Sequence, residues 1–132
     1  MRYTPRAITG LLVLIALFMV QKVYAFPDVS TTHGNYQAIT FLTETGVIAG
    51  YPDGSFKPQN SINRAEFTKI VIEGIVGTPD ESTDNCFPDV STSDWFAKYV
   101  CRAKQDGIIS GYPDGTFGPA NTINLVEVLK II

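Results

Sequence analysis

One phrase is written twice in this chain. GYPDGSFKP runs from Gly50 to Pro58, and GYPDGTFGP runs from Gly111 to Pro119, 61 residues further on. The same offset carries Phe26 to Phe87, each opening FPDVST, and Gly46 to Gly107, Phe56 to Phe117, Glu66 to Glu127 and Lys69 to Lys130, with no insertion between. A constant offset through several separated motifs marks an internal duplication. The fold must therefore be assembled from two similar units, residues 26–77 and 87–132, joined by a polar, turn-rich linker at 78–86. A chain of 132 residues has room for about one ordinary domain or two such small units.

Each unit carries the same parts. In the second copy Phe96, Tyr99, Val100 and Ala103 recur at helical spacing, and Tyr36, Ile39 and Leu42 keep a similar stripe in the first. Gly46 and Gly107 stand where a helix C-terminus turns left-handed. Short apolar runs, VIAGY and IISGY, lead into Tyr-Pro-Asp-Gly, a β-turn sequence in which proline presets φ at the second position. Gly50 and Gly111 enter the turn, Gly54 and Gly115 close it, and all four are expected to be required conformationally. Phe56 and Phe117 can fold back as apolar plugs. A second helix follows: Asn63 with Glu66, and Asn124 with Glu127, have capping-box spacing. Phe67, Ile70, Val71, Gly74 and Ile75 then predict a single apolar stripe. In copy two the stripe starts at Val128, Ile131 and Ile132, and the sequence stops there, several residues short of its counterpart. Either that helix borrows support from elsewhere or the chain belongs to a longer reading frame. The fold class is all-α, in tandem helix–loop–helix units. Neither helix pair can bury its apolar face alone, and stacking the units would bury both.

Residues 1–25 read as a leader rather than as part of the fold. Arg2 and Arg6 precede the apolar run LLVLIALFMV, and VYA ends at Ala25, the layout of a secretory signal peptide. The run is short for a membrane span, which needs about 20 residues. The mature chain would begin at Phe26. Loss of Arg2, Arg6 and Lys22 leaves seven basic residues against thirteen acidic ones, a net charge of −6. Such an acidic surface argues against a nucleic-acid partner, and no membrane partner is expected after cleavage. The two cysteines, Cys86 and Cys101, read first as a disulfide in an exported chain, with two free buried thiols as the alternative.

No order of nucleophile, base and acid, no metal cluster and no phosphate loop is visible, so the chain does not read as an enzyme, and no cofactor is expected. The only histidine, His33, lies in a polar stretch. Asp53-Gly54 and Glu66 echo a calcium loop, but Tyr51 breaks the alternation of oxygen ligands and Glu66 lies twelve residues after the glycine instead of six.

Taken in order, FPDV, DWFAKYV, GIISGYPDGTFGP and INLVE, and in the first copy FPDV, GVIAGYPDGSFKP and INRAEFTKI, resemble the S-layer homology repeat. The resemblance covers nearly all of the chain from Phe26 on. It implies helical repeats packed around a shared axis and a secreted, non-catalytic module that holds proteins on the cell surface by binding cell-wall polysaccharide, often an anionic, pyruvylated polymer. It also implies that the arginine of the family's TRAE-like motif, here Arg64 within INRAE, lies near the acidic sugar. Two departures stand out. Leu125 occupies the arginine position in copy two, and Gly34 occupies in copy one the place of Trp95. Familiar arrays also carry three repeats.

Several residues have two readings. Arg64 can grip a carboxylate with its planar fork, or be a solvated residue of the first helical turn, where the helix dipole disfavours a cation. Trp95 can stack on a sugar ring or anchor a core. Asp28 and Asp89 can bond sugar hydroxyls or stabilise the turn before the first helix. Glu66 and Glu127 are explained by capping. The rival function is a structural module that assembles with further repeats of its kind, in the same or another chain, without binding glycan.

Pairing of Cys86 with Cys101 closes a loop of about 15 residues and should stabilise the second unit by about 3 kcal/mol. The first unit has Thr40 at the position of Cys101 and Ala25 at that of Cys86, so it must manage without. Mass spectrometry of unreduced peptides should find the linked pair; two thiols alkylated in the native protein would refute it.

Overall fold

A computed structural model describes residues 26–82, 84–124 and 126–128. Residues 1–25, expected to be a leader, Thr83, Leu125 and residues 129–132, where the last helix is expected to continue, lie outside the described residues. Three helices are complete: α1 (Tyr36–Glu44), α2 (Arg64–Val76) and α3 (Ala97–Gln105). Residues 126–128 open a fourth helical turn. Among the described residues no strand forms; one isolated antiparallel bridge joins Asn63 to Thr122. No described helix is long and apolar enough to cross a membrane.

Local chemistry sets the helix ends. The Asn63 side chain accepts from the Glu66 N–H at 2.8 Å, and the Glu66 carboxylate accepts from the Asn63 N–H at 3.0 Å. The reciprocal bonds recur between Asn124 and Glu127, both at 3.1 Å. Two orphan donors are thereby satisfied at each helix start. The helices α1 and α3 end at Gly46 and Gly107, both at positive φ, and the chain then doubles back. Ile48 N–H donates to Leu42 and Ile109 N–H donates to Ala103.

Both YPDG turns close with an N–H from the final glycine to the tyrosine carbonyl at 2.9 Å, and all four turn glycines have φ between 71° and 84°. Gly50 and Gly111 are constrained twice over. A β-carbon on Gly50 would lie 2.2 Å from the Phe26 ring, and one on Gly111 would lie 2.6 Å from Phe87. The FPDV phenylalanine thus packs directly on the glycine that enters the turn. Gly54 and Gly115 face open space, so there the backbone angle alone favours glycine.

The second helix departs from the single stripe expected of it. Its buried positions are Arg64, Ala65, Thr68 and Ile72, while Ile75 is 66% exposed. Two cores explain this. One gathers Phe26, Val29, Ile39, Val47 and Ile48 of the first unit, with Ile70 packed against it. The other gathers Phe87, Val90, Val100, Ala103, Ile109 and Phe117 of the second unit and takes Ala65 and Ile72 from α2, with Phe67 and Val71 at its margin. The helix lies between two cores and buries two faces, so one stripe cannot describe it.

The linker is fixed to the second unit. Cys86 and Cys101 are joined, with their Cα atoms 5.3 Å apart, and Lys98 pairs with Glu81 at 2.7 Å. Beside this staple Tyr99 meets Glu73 of α2, and burial together with that carboxylate pushes the phenol up to about 12.

Ile72 belongs to the first unit by sequence and to the second by packing. Ile72→Ala should cost about 2–5 kcal/mol, and urea unfolding should remain a single transition followed equally by Trp95 fluorescence and by circular dichroism. Two separated transitions, or a loss below about 0.5 kcal/mol, would contradict the shared core.

Candidate functional site

The duplicated loop is clasped by a carboxylate from far along the chain. Asp28 accepts the N–H groups of Phe56 at 2.9 Å and Lys57 at 2.7 Å. Asp89 repeats the clasp on Phe117 at 2.8 Å and Gly118 at 2.7 Å. Two charge-assisted bonds hold each loop to its FPDV segment. The Phe56 N–H, with the Lys57 N–H, holds the Asp28 carboxyl below its usual range against the cost of burial. At Asp89 burial pushes upward, but the Phe117 and Gly118 N–H groups outweigh it and the carboxyl is again lowered. The two aspartates therefore engage the loop backbone, a role neither a sugar contact nor a local turn describes.

The run leading into the clasped loop of the second unit forms one wall of a cleft of about 400 Å³, with Ile108, Ile109, Ser110, Gly111, Tyr112 and Pro113 in its lining beside Arg64 and Glu127. The start of α2 is bonded into this wall. Arg64 N–H donates to Asn121 at 2.9 Å and Ala65 N–H donates to Pro119 at 3.1 Å. Two orphan donors of the helix N-terminus are thus met by the neighbouring unit.

The Arg64 side chain is 8% exposed. Its guanidinium lies 4.9 Å from the Tyr112 ring centre and 5.1 Å from that of Phe117, within cation–π range. Its charge faces Glu127 with 3.6 Å between Nη1 and Oε1, an ion pair too long for a hydrogen bond. Among the described residues its buried Nε has no hydrogen-bond partner. Glu127 also accepts from the Tyr112 hydroxyl at 2.6 Å, and Asn121 donates to that hydroxyl at 3.3 Å. Glu127 is thus more than a cap: one oxygen caps the helix and the other faces the cleft.

Arg64 is not the solvated first-turn residue its sequence position permits. Asp28, Asp89 and Trp95 do not line the cleft. Trp95 is 56% exposed and meets the Phe96 ring edge-on at 5.3 Å between centres. At the matching place in the first unit, Gly34 has nothing within 4 Å of a would-be β-carbon. Tyr112, Ser110 and the second role of Glu127 escaped the sequence reading. The repeated GYPDG placed Tyr112 in a turn but gave no sign that Arg64, 48 positions earlier, reaches it. Lys57 also escaped: it holds a left-handed φ of 55°, and its counterpart Gly118 has φ 70°. Its ammonium meets Asp53 at 2.9 Å and the Tyr51 ring at 4.5 Å.

Two helical units sharing a helix, with a cleft at their seam that holds Arg64 facing Glu127, define a tandem-repeat module. The S-layer homology domain model matches residues 25–68 and 87–125, and the chain belongs to that family. It is 33% identical over 121 residues to cell surface glycoprotein 1 of Acetivibrio thermocellus, an alignment covering 85% of this chain and 5% of that protein. It is 35% identical over 111 residues to the cellulosome-anchoring protein of the same organism, covering 81% and 25%. With the S-layer protein of Bacillus licheniformis it shares 30% over 109 residues, covering 82% and 12%. The chain thus spans a quarter or less of each of these proteins. It is a secreted, cell-surface member of the family.

The clasp makes stability depend on acid. Asp89 binds its proton less readily folded than unfolded, so its contribution is present above the unfolded value of 3.8 and is lost as pH falls through the lower folded value. Asp89→Asn should cost about 1 kcal/mol at neutral pH and flatten the acid limb of the urea midpoint below about pH 4. An unchanged acid limb would show that the clasp carries no linkage.

Proposed function

We propose that this chain is a non-catalytic anchoring module that binds an anionic cell-wall polysaccharide, of the pyruvylated class, in the cleft beside Arg64. One observation carries the reading: a guanidinium buried at the seam of two units whose Nε, among the described residues, has no hydrogen-bond partner and whose ion pair with Glu127 is 3.6 Å long. A buried polar group without a partner is costly, and a ligand carboxylate would meet it. The Ser110 hydroxyl lines the same cleft and suits a sugar hydroxyl, while the Tyr112 hydroxyl is already engaged by Glu127 and Asn121. The exposed Trp95 is available as an outlying stacking platform. Asp28 and Asp89 serve by holding the loops. The passage of α2 from one core into the next supports repeats arranged around a shared axis.

The rival is a repeat module that assembles with other repeats and binds no glycan. Its support is Glu127, which already faces Arg64 and would repel an incoming anion, and the leucine at position 125 of the second copy.

Co-sedimentation with purified cell-wall polymer separates the two. The unaltered protein should bind, and Arg64→Ala should bind about 10- to 150-fold more weakly, the worth of roughly 1.5–3 kcal/mol of charged hydrogen bonding. Arg64→Lys should restore binding only in part, because the ammonium lacks the planar fork. Circular dichroism guards against misfolding, since Arg64 also packs on Phe117. Binding unaffected in a folded Arg64→Ala would remove Arg64 from the site. A folded, unaltered protein that does not bind would favour the rival.

A further inference from the structure

We propose that the Cys86–Cys101 disulfide is a thiol-responsive latch: a dithiol reduces it in the folded protein, which frees the linker ahead of Cys86 from α3 while both units and their shared core stay folded. The inference is independent of glycan binding. It rests on where the bond sits and on how little else holds the linker.

The bond is open to attack. Cys86 and Cys101 are both only half-buried, and they line a cleft of about 730 Å³ whose walls also carry Lys98, Arg102 and Lys104. Cations beside a sulfur favour the thiolate over the thiol, so they assist both the incoming thiolate and the departing one. The dithiol balances the reaction. One of its thiolates attacks a cysteine sulfur and breaks the S–S bond, and its second thiol resolves the mixed disulfide. Two electrons and two protons pass to Cys86 and Cys101 as the reductant closes its own disulfide.

The linker ahead of the bond has few other holds. Among the described residues, no backbone-to-backbone hydrogen bond involves residues 78–82 or 84–86. Thr78 donates to the Glu73 carboxylate at the end of α2, and Glu81 pairs with Lys98 through a side chain that is 82% exposed. Exposed ion pairs of this kind are weak. The chain from Cys86 onward, by contrast, is held without the disulfide. Lys104 donates to the Cys86 carbonyl, Phe87 is buried against Phe117, and Asp89 clasps the loop. The first unit forms the same ring pair and the same clasp with Ala25 and Thr40 in the places of the cysteines, so this arrangement does not need the bond. Reduction therefore removes the linker's main attachment and leaves intact the core that α2 shares with the second unit.

The test treats the purified, folded protein with excess dithiothreitol at neutral pH, without denaturant. The chain holds only these two cysteines, so any response to the reductant passes through them. Mass spectrometry after alkylation should find both modified, and far-UV circular dichroism should be unchanged. A glutamate-specific protease should then cut after Glu81 roughly tenfold faster than in the oxidised protein, because cleavage follows the population of the locally open chain. Glu66 and Glu73, within α2, should stay uncut. Reoxidation with glutathione disulfide should restore resistance at Glu81. Thiols that appear only in denaturant would overturn the proposal. So would a reduced protein that loses its helical signal or is cut in α2 as readily as in the linker, or a cleavage rate at Glu81 that reduction leaves unchanged.

Discussion

The packing of α2 between two cores is the constraint on which the rest of this structure depends. Each unit is small, and the FPDV segment, first helix and turn of one unit enclose only a handful of apolar side chains. A domain of this size gains little from burial when it stands alone. Ala65 and Ile72 from the first unit complete the second, while Ile70 on another face of the same helix completes the first. The helix is thereby committed in both directions, and the units are linked through its packing rather than through their linker. Because the helix start must meet the neighbouring loop closely, its first N–H groups donate to Asn121 and Pro119 instead of to water. The cleft is a by-product of that meeting: a helix N-terminus and a turn are brought together with Arg64 between them.

The loop can play this part because it is rigid. Asp89 binds two consecutive N–H groups of the loop, Gly111 lets the Phe87 ring lie against the backbone, and Gly118 makes room for Tyr112, whose ring would stand 2.7 Å from an added β-carbon. At the same position in the first unit Lys57 adopts a left-handed angle at some cost, offset by its pair with Asp53 and its place over Tyr51. The same backbone is thus kept by two different side-chain solutions. That is the expected result when the loop, rather than any single contact, is what each unit needs.

What could be read from the sequence follows the range of the interaction. The capping boxes span three residues and announce themselves by residue type. The left-handed glycines at the ends of α1 and α3 stand at the close of short apolar stripes, and the cysteine pair follows from an even count in an exported chain. The Asp28 and Asp89 clasps could not be found this way. They bridge 28 and 29 residues, and an aspartate before a helix is read as a local cap. The stripe assigned to α2 failed because periodicity assumes one core per helix. Thr68, wholly buried and bonded to the Arg64 carbonyl at 2.8 Å, has no place in an apolar stripe at all. The INRAE motif points to Arg64, but its burial, its two aromatic neighbours and Glu127 belong to the seam between units, which no local pattern encodes.

The seam also explains how a cation comes to rest at the positive end of a helix. In isolation that placement is unfavourable, and burying the charge adds a desolvation cost. Three terms oppose these costs: the faces of Tyr112 and Phe117, the carboxylate of Glu127, and the helix-start N–H bonds that fix the backbone whether or not the charge is satisfied. None of them gives Arg64 the paired, in-plane hydrogen bonds its fork can make. The guanidinium is therefore held in position by packing while its hydrogen-bonding capacity is left partly unused. For a chain carrying net negative charge, long-range attraction cannot draw in an anionic polymer. The proposed recognition of such a polymer would therefore rest on a short-range contact of this kind, where low surrounding dielectric strengthens each bond and geometry has been fixed in advance by the fold.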